Sequence, residues 1–208
     1  MPLLVLGTTN RKKIIELRDL LEPLGFSLKT LADFSDPLAV EETGTTFAEN
    51  AALKAVQQSK HLGEWVLGED SGLSVDALNG APGVYSARFS GPEATDELNN
   101  QKLLRDLANV PPEKRTAHYV CHATLADPEG NVRVESVGFC HGRILLEPSG
   151  SEGFGYDPLF EIPEYHRTFG QLGLAVKGVL SHRSRAMRGL IPHLVRAMNE
   201  SLTTNCKR

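Results

Sequence analysis

The 208-residue sequence predicts an α/β protein, a mixed β-sheet with flanking helices in two lobes. Three observations carry this. Short apolar runs alternate with segments of helical period in the first half of the chain, two alternating strands around a turn sequence follow, and no linker, repeat or low-complexity tract interrupts the series. Leu3 to Leu6 is a continuous apolar run and reads as a buried strand. Ile14, Leu17, Leu21 and Leu24 then fall at helical spacing, so Gly7-Thr8-Thr9-Asn10-Arg11-Lys12-Lys13 is a strand-to-helix junction. Thr46-Phe47-Ala48-Glu49 is a capping box, in which hydroxyl and carboxylate satisfy free backbone donors; its helix runs to about Leu62. Trp65 to Gly68 reads as a second buried strand with Glu69, Asp70 and Ser71 at its carboxyl end. Asn79-Gly80 and Pro82-Gly83 mark turns before a helix from about Thr95 to Ala108. Thr116 to Ala126 and Val132 to His141 flank Asp127-Pro128-Glu129-Gly130-Asn131 as an antiparallel hairpin. A last helix starts near Ser181 and buries Ala186, Leu190, Leu194 and Met198, with a kink or break expected at Pro192. Residues 1–208 thus read as a single domain of two lobes with no clean cut between them.

Composition limits the function classes. A content of 40% hydrophobic and 23% charged residues is that of a soluble globular protein, and no apolar run approaches the ~18 residues of a membrane span. The N-terminal stretch carries no basic leader, so a cytoplasmic location is expected. Cys121, Cys140 and Cys206 form no CxxC pair and leave an odd thiol, which suggests neither a disulfide framework nor a zinc ribbon. A net charge of -4 argues against a nucleic-acid coat. That charge is segregated: Leu31 to Leu53 holds five acids and no Lys or Arg, whereas Ile162 to Arg208 holds eight basic residues and two acids. A fold joining these parts would offer a cation site and an anion site, although differently charged solvated faces would read the same way.

The Thr8 to Lys13 junction leads a strand through small hydroxyl residues into a helix, where free backbone N–H groups and the helix dipole suit a phosphate. Arg11, Lys12 and Lys13 place positive charge in the first turn against the dipole, a conflict that an anionic ligand relieves. Adjacent Glu69 and Asp70 repel one another, and a hard cation such as Mg2+ would offset that repulsion, with Glu41 or Glu42 as a further ligand. Lys54 falls four residues after Asn50 on the same helix face. Phe154-Gly155-Tyr156-Asp157-Pro158 is a turn with two aromatics and an acid, suited to stacking a planar base and bonding its edge. Ser181-His182-Arg183 opens the last helix, where His and Arg would read an oxygen on such an edge. His118, Cys121, His122, Cys140 and His141 invite comparison with a transition-metal site, but strand alternation sets Cys121 opposite His118 and His122.

In chain order, Thr8-Thr9-Asn10-x2-Lys13-x2-Glu16, Thr46-Phe47-x-Glu49-Asn50-Ala51-x2-Lys54-Ala55, Glu69-Asp70-Ser71-Gly72-Leu73, Pro82-Gly83-Val84-Tyr85-Ser86-Ala87-Arg88-Phe89, Phe154 to Pro158 and Ser181-His182-Arg183 resemble the inosine triphosphate pyrophosphatase family. The resemblance runs from about Leu3 to Arg196. It implies an elongated mixed β-sheet with two lobes around a central nucleotide-binding cleft, a homodimer, and Mg2+-dependent hydrolysis of ITP, dITP and XTP to the monophosphate and pyrophosphate. It further implies that Thr8, Thr9, Asn10, Arg11, Lys12 and Lys13 bind phosphate, that Lys54 contacts the phosphates, and that Glu41 and Asp70 bind Mg2+. Asp70 would also be the proton acceptor, with Ser71 beside the substrate. Phe154, Gly155, Tyr156, Asp157, Lys177, His182 and Arg183 would hold base and sugar, and Arg88 would approach the phosphates. Thr9 stands where this family most often has Gly, and Gln171 to Lys177 is less charged than its usual pattern. A pyrophosphatase for modified pyrimidine nucleotides and a non-catalytic nucleotide sensor are the competing readings.

Overall fold

In the computed structural model, which describes residues 3–205, seven strands form one sheet in the order β2-β1-β3-β4-β5-β6-β7. They are β1 (Leu3–Leu6), β2 (Ser27–Thr30), β3 (Trp65–Val75), β4 (Thr116–Ala126), β5 (Val132–Ile144), β6 (Phe160–Ile162) and β7 (Arg167–Thr168). The helices are α1 (Arg11–Leu21), α2 (Phe47–Leu62), α3 (Asp96–Asp106), α4 (Phe169–Leu180) and α5 (His182–Asn205). β1 pairs in parallel with β2 and β3, whereas β5–β6 and β6–β7 are antiparallel, so the sheet is mixed as expected. β4 and β5 are neighbours joined by residues 127–131, too short a connection for a parallel crossover.

Chain contacts divide the molecule into two compact units. The first comprises residues up to Asp70, Cys121–Gly138 and the chain from Arg183; the second comprises Ser71–Val120 and Phe139–His182. In the first, Leu4 and Leu6 of β1, Leu17 and Leu21 of α1, Leu67 of β3, Leu125 of β4 and Leu190 and Leu194 of α5 share one apolar cluster. In the second, Leu73 and Val75 of β3, Leu103 of α3, Tyr119 of β4, Tyr156, Phe160 of β6 and Phe169 of α4 form another. No helix among the described residues is long and apolar enough to cross a membrane.

One expectation is corrected and one is narrowed. β3 does not stop at Gly68 but continues through Glu69, Asp70 and Ser71 to Val75, because the carboxylates that end its apolar run are buried against cations, as described below. Of the kink or break expected at Pro192, the break does not occur: α5 runs through the proline, residues on both sides of it, Leu190, Leu194 and Met198, are buried in the same cluster, and that burial outweighs the lost backbone bond. The capping box at Thr46 forms as read, with Thr46 Oγ accepting from Glu49 N at 3.2 Å and Glu49 Oε2 accepting from Thr46 N at 3.1 Å.

Gly68 positions α2. A Cβ there would lie 2.3 Å from the Ala51 carbonyl oxygen and 2.6 Å from the Ala55 nitrogen, so only glycine allows the helix backbone to rest directly on β3. Gly68→Ala is expected to cost about 1–3 kcal/mol through overpacking, read as a fall in the urea midpoint at unchanged slope; an unaltered midpoint would show that α2 has room to retreat.

Candidate active site

The close approach at Gly68 brings two α2 side chains, four residues apart, onto Asp70. Lys54 Nζ lies 2.9 Å from Oδ1, and Asn50 Nδ2 donates to Oδ2 at 3.3 Å. Asn50 is fully buried, and its Oδ1 accepts from Gly44 N at 2.9 Å, which ties the acidic segment ahead of α2 to the same carboxylate. Lys54 also lies 3.5 Å from Glu42. Burial pushes the Asp70 carboxyl above the usual carboxylate range, Lys54 and Lys13 pull against it, and Glu42 adds to the rise.

Glu69, one residue earlier on β3, has a separate set of partners. Arg183 Nε and Nη2 approach its Oε1 at 3.2 and 2.9 Å, Cys121 Sγ donates to the same oxygen at 3.2 Å, and Lys13 Nζ reaches Oε2 at 2.9 Å. Arg183, also bonded to Glu16, is 1% exposed. Burial works against its charge, but Glu69 and then Glu16 outweigh that effect and hold the guanidinium protonated. The Cys121 thiol is pushed well up by burial and by Glu69, so it remains a donor. Successive strand residues face opposite ways, and the repulsion expected between the two acids is met by separate cations, Lys54 for Asp70 and Lys13 with Arg183 for Glu69.

At the junction, Asn10 caps α1: its Oδ1 accepts from Lys12 N at 3.0 Å and Lys13 N at 3.3 Å, while Thr8 Oγ accepts from Asn10 N at 3.2 Å. The backbone donors expected to be free for a phosphate are therefore in part occupied by Asn10. Thr9, Asn10, Arg11 and Lys12 are exposed. Glu41 is also exposed, and the acid of its segment that reaches Lys54 is Glu42.

The second unit gathers the aromatic turn. Lys177 Nζ pairs with Asp157 Oδ2 at 2.6 Å, both side chains being at most 3% exposed, and lies 4.0 Å from the centre of the Phe154 ring. Asp157 Oδ2 also accepts from Phe154 N at 2.8 Å, and the Tyr119 hydroxyl lies 3.4 Å from Oδ1. Burial, then the Asp157 charge, pushes that phenol well up, so it stays a donor. The Tyr119 ring stacks on His182 at 4.7 Å, and the Tyr156 hydroxyl donates to the Ser86 carbonyl at 2.8 Å. Phe154, Asp157, Lys177 and, through Tyr119, His182 are thus brought together, and Lys177 among them is named in the sequence only by the family resemblance. Ser71 is half-buried in β3, and Arg88 is exposed beside the Tyr85 ring at 5.1 Å. Asn50, Tyr119, Asp96 and Asn100 are site neighbours that the sequence reading did not select; only Asn50, one turn before Lys54, carries a signal in its spacing.

A hard divalent cation takes one or two carboxylates and completes its shell with water and phosphate oxygens. Asp70 and the glutamates of the segment tied to it by Asn50 are oxygen donors of that kind. Among the described residues no three His, Cys, Asp or Glu side chains gather as a metal set, and Cys121 of the hairpin is fully buried against Glu69.

The sequence profile of the Ham1 family matches residues 4–193. This chain belongs to the Ham1 family. A dITP/XTP pyrophosphatase of Rhodopirellula baltica is 57% identical over 201 residues, 97% of each chain, and one of Desulforamulus reducens is 48% identical over 185 residues, 89% and 92% of the two chains. Among solved Ham1 structures, that of Coxiella burnetii superimposes with a TM-score of 0.85 at 37% identity, covering 96% of this chain and all of the other. The Staphylococcus aureus Ham1 protein gives 0.81 at 36% identity over 96% and 98%. Ham1 membership bears out the resemblance read from the six ordered motifs, since relatives this similar carry the pyrophosphatase name that the resemblance implies.

Breaking the buried pair of the second unit should be costly. Lys177→Met strands the Asp157 carboxylate and is expected to destabilise by about 3–5 kcal/mol. The double variant with Asp157→Asn should recover part of this in chemical denaturation, and no recovery would show that the pair is not the source of the loss.

Proposed function

We propose that this protein hydrolyses non-canonical purine nucleoside triphosphates, ITP, dITP and XTP, to the monophosphate and pyrophosphate, and so cleanses the nucleotide pool of deaminated purines. The observation that carries the reading is the buried Asp70 carboxylate held between the Lys54 ammonium and the Asn50 amide. Its setting in a chain so similar to named dITP/XTP pyrophosphatases supports purine triphosphate as the substrate class.

Asp70 accepts the proton of the water that attacks the α-phosphorus. Burial raises its proton affinity while Lys54 favours its ionised form, and a proton acceptor works best when its pKa is drawn toward the working pH. Lys54 neutralises Asp70 in the absence of substrate and offers its charge to phosphate oxygens when a triphosphate arrives. Thr8, Thr9, Asn10, Arg11, Lys12 and Lys13 bind the phosphates, and the exposed Arg11 and Lys12 supply the charge that α1 places against its own dipole. Asp70 and Glu41 would hold Mg2+, which when bound neutralises charge developing on the leaving pyrophosphate. Phe154, Gly155, Tyr156, Asp157, Lys177 and His182 bind base and sugar, with Ser71 beside the substrate. Arg183 donates to a base oxygen while keeping Glu69 in place. Residues 1–208 act as one catalytic domain, working as a homodimer in the cytoplasm.

Steady-state pyrophosphate release from ITP, XTP, GTP, ATP and dUTP with Mg2+ tests the activity and its specificity. ITP and XTP are expected to lead, and equal rates on ATP and ITP would overturn the purine discrimination. Asp70→Asn should keep the far-UV spectrum and lose roughly a hundredfold or more in kcat, the range of a lost acid–base group; near-wild-type turnover would remove Asp70 from the mechanism. Light scattering should give twice the 22.7 kDa chain mass, and a single-chain mass would remove the homodimer.

A further inference from the structure

We infer that Asp96 and Asn100 of α3 are positioning residues for base recognition, acting through the peptide groups of Gly155. Asp96 Oδ2 accepts from Gly155 N at 3.0 Å, and Asn100 Nδ2 donates to Gly155 O at 3.0 Å. The two residues lie four apart, on one face of α3. Together they grip both backbone polar groups of the residue that separates Phe154 from Tyr156. Gly155 has φ +62°, a left-handed conformation that costs a glycine little but does not hold itself in place. The turn would otherwise sample the wide backbone space open to glycine. With both groups bound to α3 and Phe154 N bound to Asp157, the direction of the Phe154 ring is fixed before any ligand arrives.

Asp96 sits in the first turn of a helix whose start Thr95 already caps, its Oγ accepting from Leu98 N. Its carboxylate is thus not needed as the cap. The reading rests on Phe154 as the base platform. Preorganisation of this kind acts on affinity: a turn that must be ordered at binding weakens the complex, whereas the proton acceptor at Asp70 is untouched. Loss of the clamp therefore raises KM and spares kcat, the pattern of lost uniform binding.

The test is a KM and kcat comparison with ITP for Asp96→Ala, Asn100→Ala, the double variant, Asp96→Asn and Phe154→Ala. Each single alanine variant is expected to raise KM roughly three- to tenfold with kcat within about twofold, the equivalent of one backbone hydrogen bond. Asp96→Asn keeps an acceptor oxygen for Gly155 N and should restore KM to within about twofold of wild type. The two alanine effects should combine non-additively, since both act on one residue. Unchanged KM in both alanine variants, a fall in kcat alone, or Asp96→Asn as impaired as Asp96→Ala would overturn the clamp. Phe154→Ala separates the two levels: if it raises KM while the clamp variants do not, the clamp alone fails, and if it leaves KM unchanged, the platform fails with it. Should an alanine variant not fold, Asn100→Asp, which sets a carboxylate against the Gly155 carbonyl, must raise KM likewise, and an unchanged value would overturn the inference.

Discussion

Burial of two consecutive carboxylates within β3 is the constraint on which the first unit depends. An isolated ionised acid in such a place costs several kcal/mol even after relaxation, so each must be met by a cation from elsewhere in the chain. Strand alternation directs Glu69 and Asp70 to opposite sides, and this sets what must pack there. α1 supplies Lys13, α2 supplies Lys54, and α5 supplies Arg183, which is itself also paired with Glu16 of α1. Apolar side chains of α1 and α5 share the cluster with β1, β3 and β4, which brings those helices near. Charge pairing adds to the register that packing sets, because a shift would leave a carboxylate without its counterion.

The two acids thereby acquire different chemistry from adjacent positions. Glu69 is fully buried and bonded to Arg183, Lys13 and Cys121. Asp70 is met by one ammonium and one neutral amide, with a further acid near that ammonium, and its carboxyl is pushed upward. A lysine is a flexible point charge that changes partners easily, whereas a buried arginine held by two carboxylates does not. The acid paired with Lys54 is accordingly the one whose counterion can be exchanged, which is what the proposed role of Asp70 requires, and the acid paired with Arg183 is fitted to hold the architecture.

Much of this is legible in the sequence, and what is not has identifiable physical causes. The β1–α1 junction, the Thr46 capping box and the β4–β5 hairpin follow from local rules, namely apolar period, cap chemistry and turn residues, which a single segment contains in full. β3 is misread at Gly68 because a run of Glu-Asp-Ser looks like an exit to solvent, and the cations that allow it to stay buried come from segments as distant as residues 13 and 183. The helix continues past Pro192 for a related reason: the local penalty is real, but burial on both sides of it is a property of the tertiary structure. The short strands β2, β6 and β7 and the glycine-rich α4 have little pattern of their own to read.

Residues that act through others are harder to read from a sequence than the residues they orient. Lys54 and Asp70 belong to residue types whose chemistry announces itself, whereas Asn50 is an amide in the first turn of α2, where a polar residue ordinarily faces solvent. In the structure it is fully buried, donating to Asp70 and accepting from Gly44. A neutral amide suits that place better than a second lysine would. It satisfies one carboxylate oxygen without adding a charge that would depress the proton affinity of Asp70 further, and its own oxygen remains available to fix the acidic segment carrying Glu41 and Glu42. One uncharged side chain thus ties Asp70 to the neighbouring acidic segment, which requires that α2 be held against β3, and α2 is seated by the missing side chain of Gly68.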